Sequence, residues 1–118
     1  MNQYTFRIRR KDRAMALAGV PLNVSVLAQL LESQRGRSYA GELAEALGKS
    51  HTAVGTTLNR LEASGYVIGA MEPIEAAQGR APRRYFTITP EGSEYLRQFA
   101  ANWQAQAKSL LTLVTTHT

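Results

Sequence analysis

The feature that most constrains the fold of this chain is a pair of short helical segments with almost nothing between them. Apolar residues recur at helical spacing over residues 39–47 and again over residues 50–64. Only Gly48 and Lys49 separate the two segments. Gly48 suits the left-handed conformation that closes a helix, and Ser50 suits the N-cap of the helix that follows. Two helices joined by so short a turn form a helix-turn-helix, and the rest of the chain must pack around that corner.

A further helical stripe precedes this pair. Four of its apolar residues fall at i, i+4, i+7 and i+11, and they are Val20, Val24, Leu27 and Leu31. This spacing predicts a first helix over residues 21–34. Residues 35–37 (RGR) interrupt the pattern. Ser38 is predicted to cap the second helix, with its hydroxyl accepting a hydrogen bond from a free backbone N–H.

After the third helix the period of the apolar residues changes from helical to two. Residues 66–71 and 83–88 are predicted as the strands of a hairpin, joined by a loop over residues 72–82. Residues 89–91 (TPE) then form a strong helix start, with an N-cap Thr, a Pro at the first helical position and an acid in the first turn. The predicted fold class is therefore mainly α with a small β-hairpin: a winged helix-turn-helix followed by one long helix.

Positive charge is concentrated in two places, and the formal net charge is +5. One cluster lies in residues 1–19, a basic N-terminal arm that precedes the winged helix-turn-helix domain of residues 20–89. The other lies in the hairpin loop and its second strand: Arg80, Arg83 and Arg84. Clustered cations are typical of a surface that binds phosphates, although solvated surface charge gives the same pattern.

The two sides of the third helix differ in chemistry. At the helical angle per residue, three apolar side chains share one side and are predicted to face the core: Val54, Leu58 and Leu61. The opposite side carries Thr52, Thr56 and Asn59. Side chains this short let a helix approach the floor of the DNA major groove, where Asn can pair with adenine and Thr with a base edge or a thymine methyl. We interpret this side as a base-reading face; a face that simply tolerates solvent is the alternative.

Phosphate contacts are predicted next to this face. Lys49, Ser50 and His51 lie at the start of the third helix, where free N–H groups and the helix dipole attract anions. Ser50 is also the structural cap, and an ordinary surface position is an equal interpretation of His51. Arg60 flanks the face, where it either contacts a phosphate or pairs with an acid of the same domain.

The three arginines of the wing have separate expected roles. Arg80 lies at a glycine-containing tip, from which it can enter the minor groove or contact phosphates. Arg83 and Arg84 can hold the DNA backbone. Because neighbouring residues of a strand point to opposite faces, one of these two arginines is also a candidate for a structural role.

Three segments resemble the PadR-like family of transcription regulators. Residues 79–92 (GRAPRRYFTITPEG) resemble that family's wing, with its Gly-Arg-Pro-type tip, basic pair, two aromatic residues and helix start. Residues 39–43 (YAGEL) and 58–66 (LNRLEASGY) are similar to the start of its second helix and the end of its third. The resemblance covers about residues 27–96. The family often has Tyr-Pro where residues 56–57 are Thr-Thr, so its base contacts do not transfer directly.

The last part of the chain, residues 90–118, is predicted to be a dimerisation helix. Six of its residues are spaced 3, 4, 3, 4 and 3 apart, which is a heptad seam: Leu96, Phe99, Trp103, Gln106, Leu110 and Leu113. Folding back onto its own domain is the alternative. The PadR-like resemblance likewise implies a homodimeric transcription regulator, usually a repressor on a palindromic operator, with the short C-terminal helix of one subgroup.

An aromatic stripe on the last helix also raises the question of a ligand. Tyr95, Phe99 and Trp103 could line a site for a small aromatic effector. Such a stripe at helical spacing is more often plain core, and both interpretations stay open at this point.

Several functions are disfavoured by what the sequence lacks. It has no cysteine and two histidines, His51 and His117, so it offers no disulfide, no metal cluster and no thiol nucleophile. No apolar run approaches the ~20 residues of a membrane span, and residues 1–13 are polar and basic rather than signal-like. We therefore expect a cytoplasmic protein without cofactor or metal that is not an enzyme. The leading hypothesis is a sequence-specific regulator that binds double-stranded DNA; a protein-interaction module and a non-specific architectural DNA-binding protein are the alternatives.

Overall fold

A computed structural model describes residues 19–117 of the chain. The predicted basic arm, apart from its last residue, lies outside the described residues. The described part contains five helices and three strands in this order: α1 Leu22–Glu32, β1 Arg37–Tyr39, α2 Ala40–Leu47, α3 His51–Ala63, β2 Val67–Met71, α4 Ile74–Ala77, β3 Arg84–Ile88 and α5 Pro90–Thr116. A short 3₁₀ turn, Gln34–Gly36, lies between α1 and β1. The predicted fold class, mainly α with a small antiparallel sheet, is confirmed.

The sheet has three strands rather than the two of a simple hairpin. Its order is β1-β3-β2, and both pairings are antiparallel. The prediction that Ser38 caps the second helix is wrong, because Ser38 lies in β1, is fully buried opposite Phe86, and donates a hydrogen bond to the carboxylate of Glu42. Tyr39 occupies the N-cap position without a side-chain hydrogen bond. A strand of three residues is too short to show a period of two in the sequence.

The core lies between α1, α2, α3 and the inner face of the sheet. The predicted inner side of α3 is confirmed, since Val54, Leu58 and Leu61 are all buried. The prediction for α1 is partly wrong, because Leu31 is 57% exposed while Val26 and Leu30 are fully buried. The remaining buried apolar side chains of this cluster come from α1, α2, β2 and β3: Leu27, Leu43, Ala44, Val67 and Phe86.

Three predicted helix ends have the expected local chemistry. Gly48 adopts the left-handed conformation (φ 65°) and closes α2. Ser50 Oγ accepts a hydrogen bond from the backbone N–H of Ala53 at 3.1 Å, which caps α3. Thr89 Oγ1 accepts one from the N–H of Gly92 at 3.0 Å, which caps α5. The turn between α2 and α3 is therefore fixed by local residues, as a helix-turn-helix requires.

The start of α5 is joined closely to the end of α3. Thr89 Oγ1 donates a hydrogen bond to the carbonyl oxygen of Gly65 at 2.7 Å. A methyl group on Gly92 would lie 2.2 Å from the carbonyl oxygen of Tyr66, so only glycine allows this approach. Beyond this junction the side chains of residues 100–117 are all exposed.

The segment between β2 and β3 is more ordered than the predicted loop. Residues 72–82 contain the four-residue helix α4, and Ala77 in that helix is buried. Gln78 and Gly79 follow it with positive φ angles of 51° and 90°, and they turn the chain back toward β3. Strand β3 begins at Arg84, one residue later than predicted.

Candidate nucleic-acid interface

The outer side of α3 presents short polar side chains to solvent. Thr52, Thr56 and Asn59 are all exposed, opposite the buried Val54 and Leu58. Among residues 19–117 none of these three side chains forms a hydrogen bond or an ion pair. Their donors and acceptors are therefore available to an external partner.

The start of α3 packs against the start of α2. A methyl group on Gly41 would lie 2.8 Å from Nε2 of His51 and 3.3 Å from the ring of Tyr39, so the histidine ring lies over this glycine. His51 is nevertheless exposed, as are Lys49 and Ser50. The contact orients the imidazole at the start of α3, where free backbone N–H groups favour an anion.

Arg84 joins the wing to α3. Its Nη2 donates to Oε2 of Glu62 at 2.6 Å, and the same oxygen accepts the backbone N–H of Gly69 at 3.2 Å. One carboxylate on α3 thus contacts both strands of the wing. Gly69 makes room for this arrangement, since a methyl group there would lie 2.5 Å from Nε of Arg84 and 2.9 Å from the ring of Phe86.

Arg80 is held by the acid at the other end of its loop. Nη1 and Nη2 donate to the two carboxylate oxygens of Glu72 at 2.8 and 3.0 Å, and Nη1 also donates to the carbonyl oxygen of Ala81. The backbone N–H of Arg83 donates to the same carboxylate at 3.2 Å. The hydrogen bond from Arg80, followed by that from the backbone of Arg83, lowers the pKa of Glu72, although partial desolvation opposes the shift. The same hydrogen bond raises the pKa of Arg80.

Arg83 stacks on an aromatic ring and forms no ion pair with an acid of residues 19–117. Its Cζ lies 4.2 Å from the ring centroid of Tyr39. A second arginine that the sequence reasoning missed, Arg37, stacks in the same way on Tyr85 at 4.2 Å. Only the existence of strand β1, which the sequence pattern did not indicate, brings these four side chains together.

Arg60 lies on a different flank of α3. It is exposed and lines a cavity of about 450 Å³ between α1, α3 and α5, together with Asn23, Tyr66 and Tyr95. The rings of Tyr66 and Tyr95 are stacked with centroids 4.8 Å apart, and Asn23 Nδ2 donates to the hydroxyl of Tyr95 at 3.4 Å. Of the three aromatic residues predicted for an effector site, only Tyr95 reaches this cavity.

The predicted seam of α5 runs from the domain into solvent. Leu96 and Phe99 are half-buried, and Phe99 stacks on Trp103 with centroids 5.4 Å apart. Further along, Leu110 and Leu113 are 61% and 57% exposed. The distal half of α5 therefore carries large apolar side chains that nothing in residues 19–117 covers.

Two further properties concern the described residues 19–117 as a whole. No group of three or more His, Cys, Asp or Glu side chains there is placed to hold a metal ion. None of the helices in this part is both long enough and apolar enough to cross a membrane.

No family model matches this chain, and no curated protein matches its sequence. Several solved structures do match the fold of this chain. A PadR-family transcriptional regulator from Eggerthella lenta is 24% identical with a TM-score of 0.66, and the match covers 86% of this chain and 84% of that one. A PadR-like transcriptional regulator from Bacillus cereus is 22% identical with a TM-score of 0.64, covering 85% and 96%. The adhesin competence repressor of Streptococcus pyogenes is 17% identical with a TM-score of 0.57, covering 88% and 72%.

These likenesses define the fold. The chain is a winged helix-turn-helix with a long C-terminal helix, built as in structures of PadR-family transcriptional regulators. In that fold α3 is the second helix of the helix-turn-helix, and residues 67–88 form the wing. The resemblance noted in the sequence is thereby matched by the fold.

Proposed function

We propose that this protein is a transcriptional regulator that binds double-stranded DNA in a sequence-specific manner, as a homodimer that represses from a palindromic operator. The observation that carries this proposal is the outer side of α3, where Thr52, Thr56 and Asn59 are exposed and unpaired within residues 19–117. A helix of a helix-turn-helix with such a face fits the major groove, whose floor offers partners for hydroxyl and amide groups. Repression is supported by one structural neighbour, which is the adhesin competence repressor of Streptococcus pyogenes.

The proposed contacts fall into two kinds. Thr52, Thr56 and Asn59 read base edges, while the start of α3 and the wing contact the phosphate backbone. The residues proposed for backbone contact are Lys49, Ser50, His51, Arg60, Arg80, Arg83 and Arg84. Two of these, Arg80 and Arg84, are each paired with one glutamate of the wing or of α3, so in the proposal they also set the position of the wing.

The homodimer is proposed from the exposed seam of α5. Leu110 and Leu113 continue the heptad of Leu96, Phe99 and Trp103 beyond the domain, and exposed apolar residues at this spacing favour a second helix as partner. A second copy of the same chain is the simplest source of that helix. Two copies would present two α3 helices to successive major grooves about 34 Å apart.

The DNA proposal is tested by selection of bound duplexes from a random pool with the full chain. The expected result is a palindrome with half-sites centred about one helical turn, ~10 base pairs, apart. A non-specific architectural protein would retain duplexes without enriching any sequence. A protein-interaction module would retain none. Either of these results would contradict the proposal.

The dimer proposal is tested by analytical ultracentrifugation of a seam variant and a matched control. Leu110→Glu places a charge in the seam and is expected to yield monomers. Gln104→Glu adds the same charge at an exposed position of α5 that is not one of the seam positions, and it is expected to leave the dimer intact. A wild-type chain that sediments as a monomer at micromolar concentration would contradict a homodimer.

We further propose that a small aromatic effector binds in the cavity lined by Arg60, Tyr66 and Tyr95. The stacked tyrosines offer an apolar wall, and the guanidinium offers a partner for a carboxylate. Benzoate serves as the probe: it should change the affinity of the wild type for its selected duplex and leave the Tyr95→Ala variant unaffected. The same response in both proteins would contradict this site.

A further inference from the structure

The outer face of the sheet carries a set of side chains that the fold does not need for its core. In β1 and β3, alternate residues point to opposite faces, and Ser38 and Phe86 are the buried pair on the inner face. Tyr39 and Tyr85 are paired directly on the outer face. Arg37, two residues from Tyr39, lies on that same face and is exposed.

Four side chains of this face, with Arg83 as the fourth, form a continuous series of ring contacts. The Cζ atom of Arg37 lies 4.2 Å from the ring centroid of Tyr85, and that of Arg83 lies 4.2 Å from the ring centroid of Tyr39. The two rings meet edge to face, with centroids 5.4 Å apart and an interplanar angle of 79°. We call this set, Arg37, Tyr39, Arg83 and Tyr85, the arginine–tyrosine band.

The two arginines of the band differ in charge balance from the three arginines of the described residues that form ion pairs. Arg80, Arg84 and Arg97 each form a salt bridge with a glutamate. Within residues 19–117 neither Arg37 nor Arg83 forms one; each lies on a ring instead. A guanidinium stacked on a ring keeps its N–H groups free at its edge, where they match the oxygens of a phosphate.

The band borders the base-reading helix. His51, the first residue of α3, lies over Gly41, and the ring of Tyr39 packs against the same glycine. Arg83 in turn stacks on Tyr39. The band thus begins beside the start of α3 and continues along β1 to Arg37.

We infer that Arg37, which has no role in the proposed function so far, is a further contact to the sugar–phosphate backbone of double-stranded DNA. The arginine–tyrosine band joins it to the phosphate contact already proposed for Arg83, beside the base-reading face. The inference rests on the proposed function. Stacking on Tyr39 and Tyr85 holds the two guanidinium groups in place before DNA arrives, which reduces the side-chain entropy lost on binding. Because the rings already hold guanidinium groups, the band suits phosphates better than unstacked bases of a single strand.

The experiment compares the salt dependence of duplex binding for the full chain and an Arg37→Gln variant. Loss of one phosphate contact should reduce the slope of log K against log salt by ~0.9 and weaken binding several-fold on selected and unrelated duplexes alike. Arg97→Gln is the matched control, since it removes one exposed arginine from α5 and should leave the slope unchanged. Thermal unfolding of each variant confirms that the fold is retained.

A second pair of variants tests the role of the ring. Tyr85→Leu keeps both arginines but removes the ring under Arg37 and should weaken binding of all duplexes. Tyr85→Phe restores a ring at this position and should recover most of the affinity that Tyr85→Leu loses. If the wild type binds its selected duplex and Arg37→Gln has the same slope and affinity, the inference is overturned while the proposed function stands. If the wild type binds no duplex at all, the proposed function and this inference both fail.

Discussion

The outer side of α3 and the wing are both predicted to contact DNA, but they differ in whether their polar side chains already have partners within the described residues. Thr52, Thr56 and Asn59 on α3 have no partner within residues 19–117. In the wing, Arg80 and Arg84 are each already paired with a glutamate. A cluster of arginines in a sequence is therefore not one functional set, because the neighbouring acids decide which guanidinium groups are available to a ligand.

The pairing in the wing has a geometric consequence for α3. Glu62 belongs to α3 and binds Gly69 in β2 and Arg84 in β3, so the wing is fixed relative to the helix proposed to read bases. Glu72 and Arg80 close the loop of the wing on itself. The wing of this protein is therefore positioned by ion pairs, while the outer side of α3 forms none within residues 19–117.

The largest expected difference between the two regions concerns glycine. Gly69→Ala in the wing forces a methyl group to within 2.9 Å of the Phe86 ring and onto Arg84, and we expect it to lower the free energy of unfolding by about 1–3 kcal/mol. Gly55→Ala in α3 meets nothing within 4 Å and should raise the same free energy by up to about 1 kcal/mol, through helix propensity. Urea denaturation of both variants measures this. Equal effects would mean that the wing is not tightly packed at Gly69.

Base reading by α3 is expected to have the next largest effect. Asn59→Ala should lower discrimination at one base pair of each half-site by about 1–3 kcal/mol, because a bidentate contact to a base is lost. The free energy of unfolding should stay the same, since Asn59 is exposed. Binding to a set of singly substituted duplexes measures the effect, with Gln104→Ala on α5 as control. A uniform loss over all duplexes would assign Asn59 to the backbone instead.

The ion pairs of the wing allow a test of whether its arginines position the wing or contact phosphates. If positioning dominates, Glu62→Gln and Arg84→Gln should both weaken binding to every duplex by a similar factor, because each breaks the same ion pair. Glu72→Gln and Arg80→Gln should behave as a second such pair. If instead the arginines act mainly through phosphate contact, the two glutamate variants would bind more tightly, because each removes a negative charge that competes with DNA.

The smallest expected effect is on the titration of Glu72. Because Arg80 lowers its pKa in the folded chain, the stabilisation from this pair is fully present above the ordinary pKa of glutamate and is lost as the pH falls through the lowered value. Carboxyl NMR titration should place the pKa of Glu72 below the ordinary value of a glutamate. Arg80→Gln should return it toward the ordinary value. A pKa of Glu72 that is not lowered in the wild type would show that the ion pair with Arg80 does not persist in solution.

Sequence reasoning succeeded where the signal was local. The turn at Gly48 and Ser50, the buried side of α3 and the start of α5 at Thr89 all follow from spacing and capping residues, and the structure has them as predicted. The prediction that Leu31 is buried is wrong, because it continues the apolar pattern from Leu27 by four residues. The buried side of the helix in fact continues from Leu27 to Leu30.

What the sequence could not predict depends on contacts between distant residues. Strand β1 exists because Arg37–Tyr39 pairs with β3, almost fifty residues away, and three residues carry no period of their own. The partner of Arg84 is 22 residues distant, and nothing in the local pattern of the wing indicates it. The arginine–tyrosine band could not be predicted for the same reason, since it requires β1 to be in register with β3.

The central claim is that α3 gives this protein sequence-specific binding to duplex DNA. The most direct test is an equilibrium titration of the full chain with its selected palindrome and with a shuffled duplex of the same composition, at one fixed salt concentration near physiological. We expect the palindrome to bind at least ~10³-fold more tightly than the shuffled duplex, as is typical of specific protein–DNA complexes. Equal affinity for the two duplexes would contradict the account.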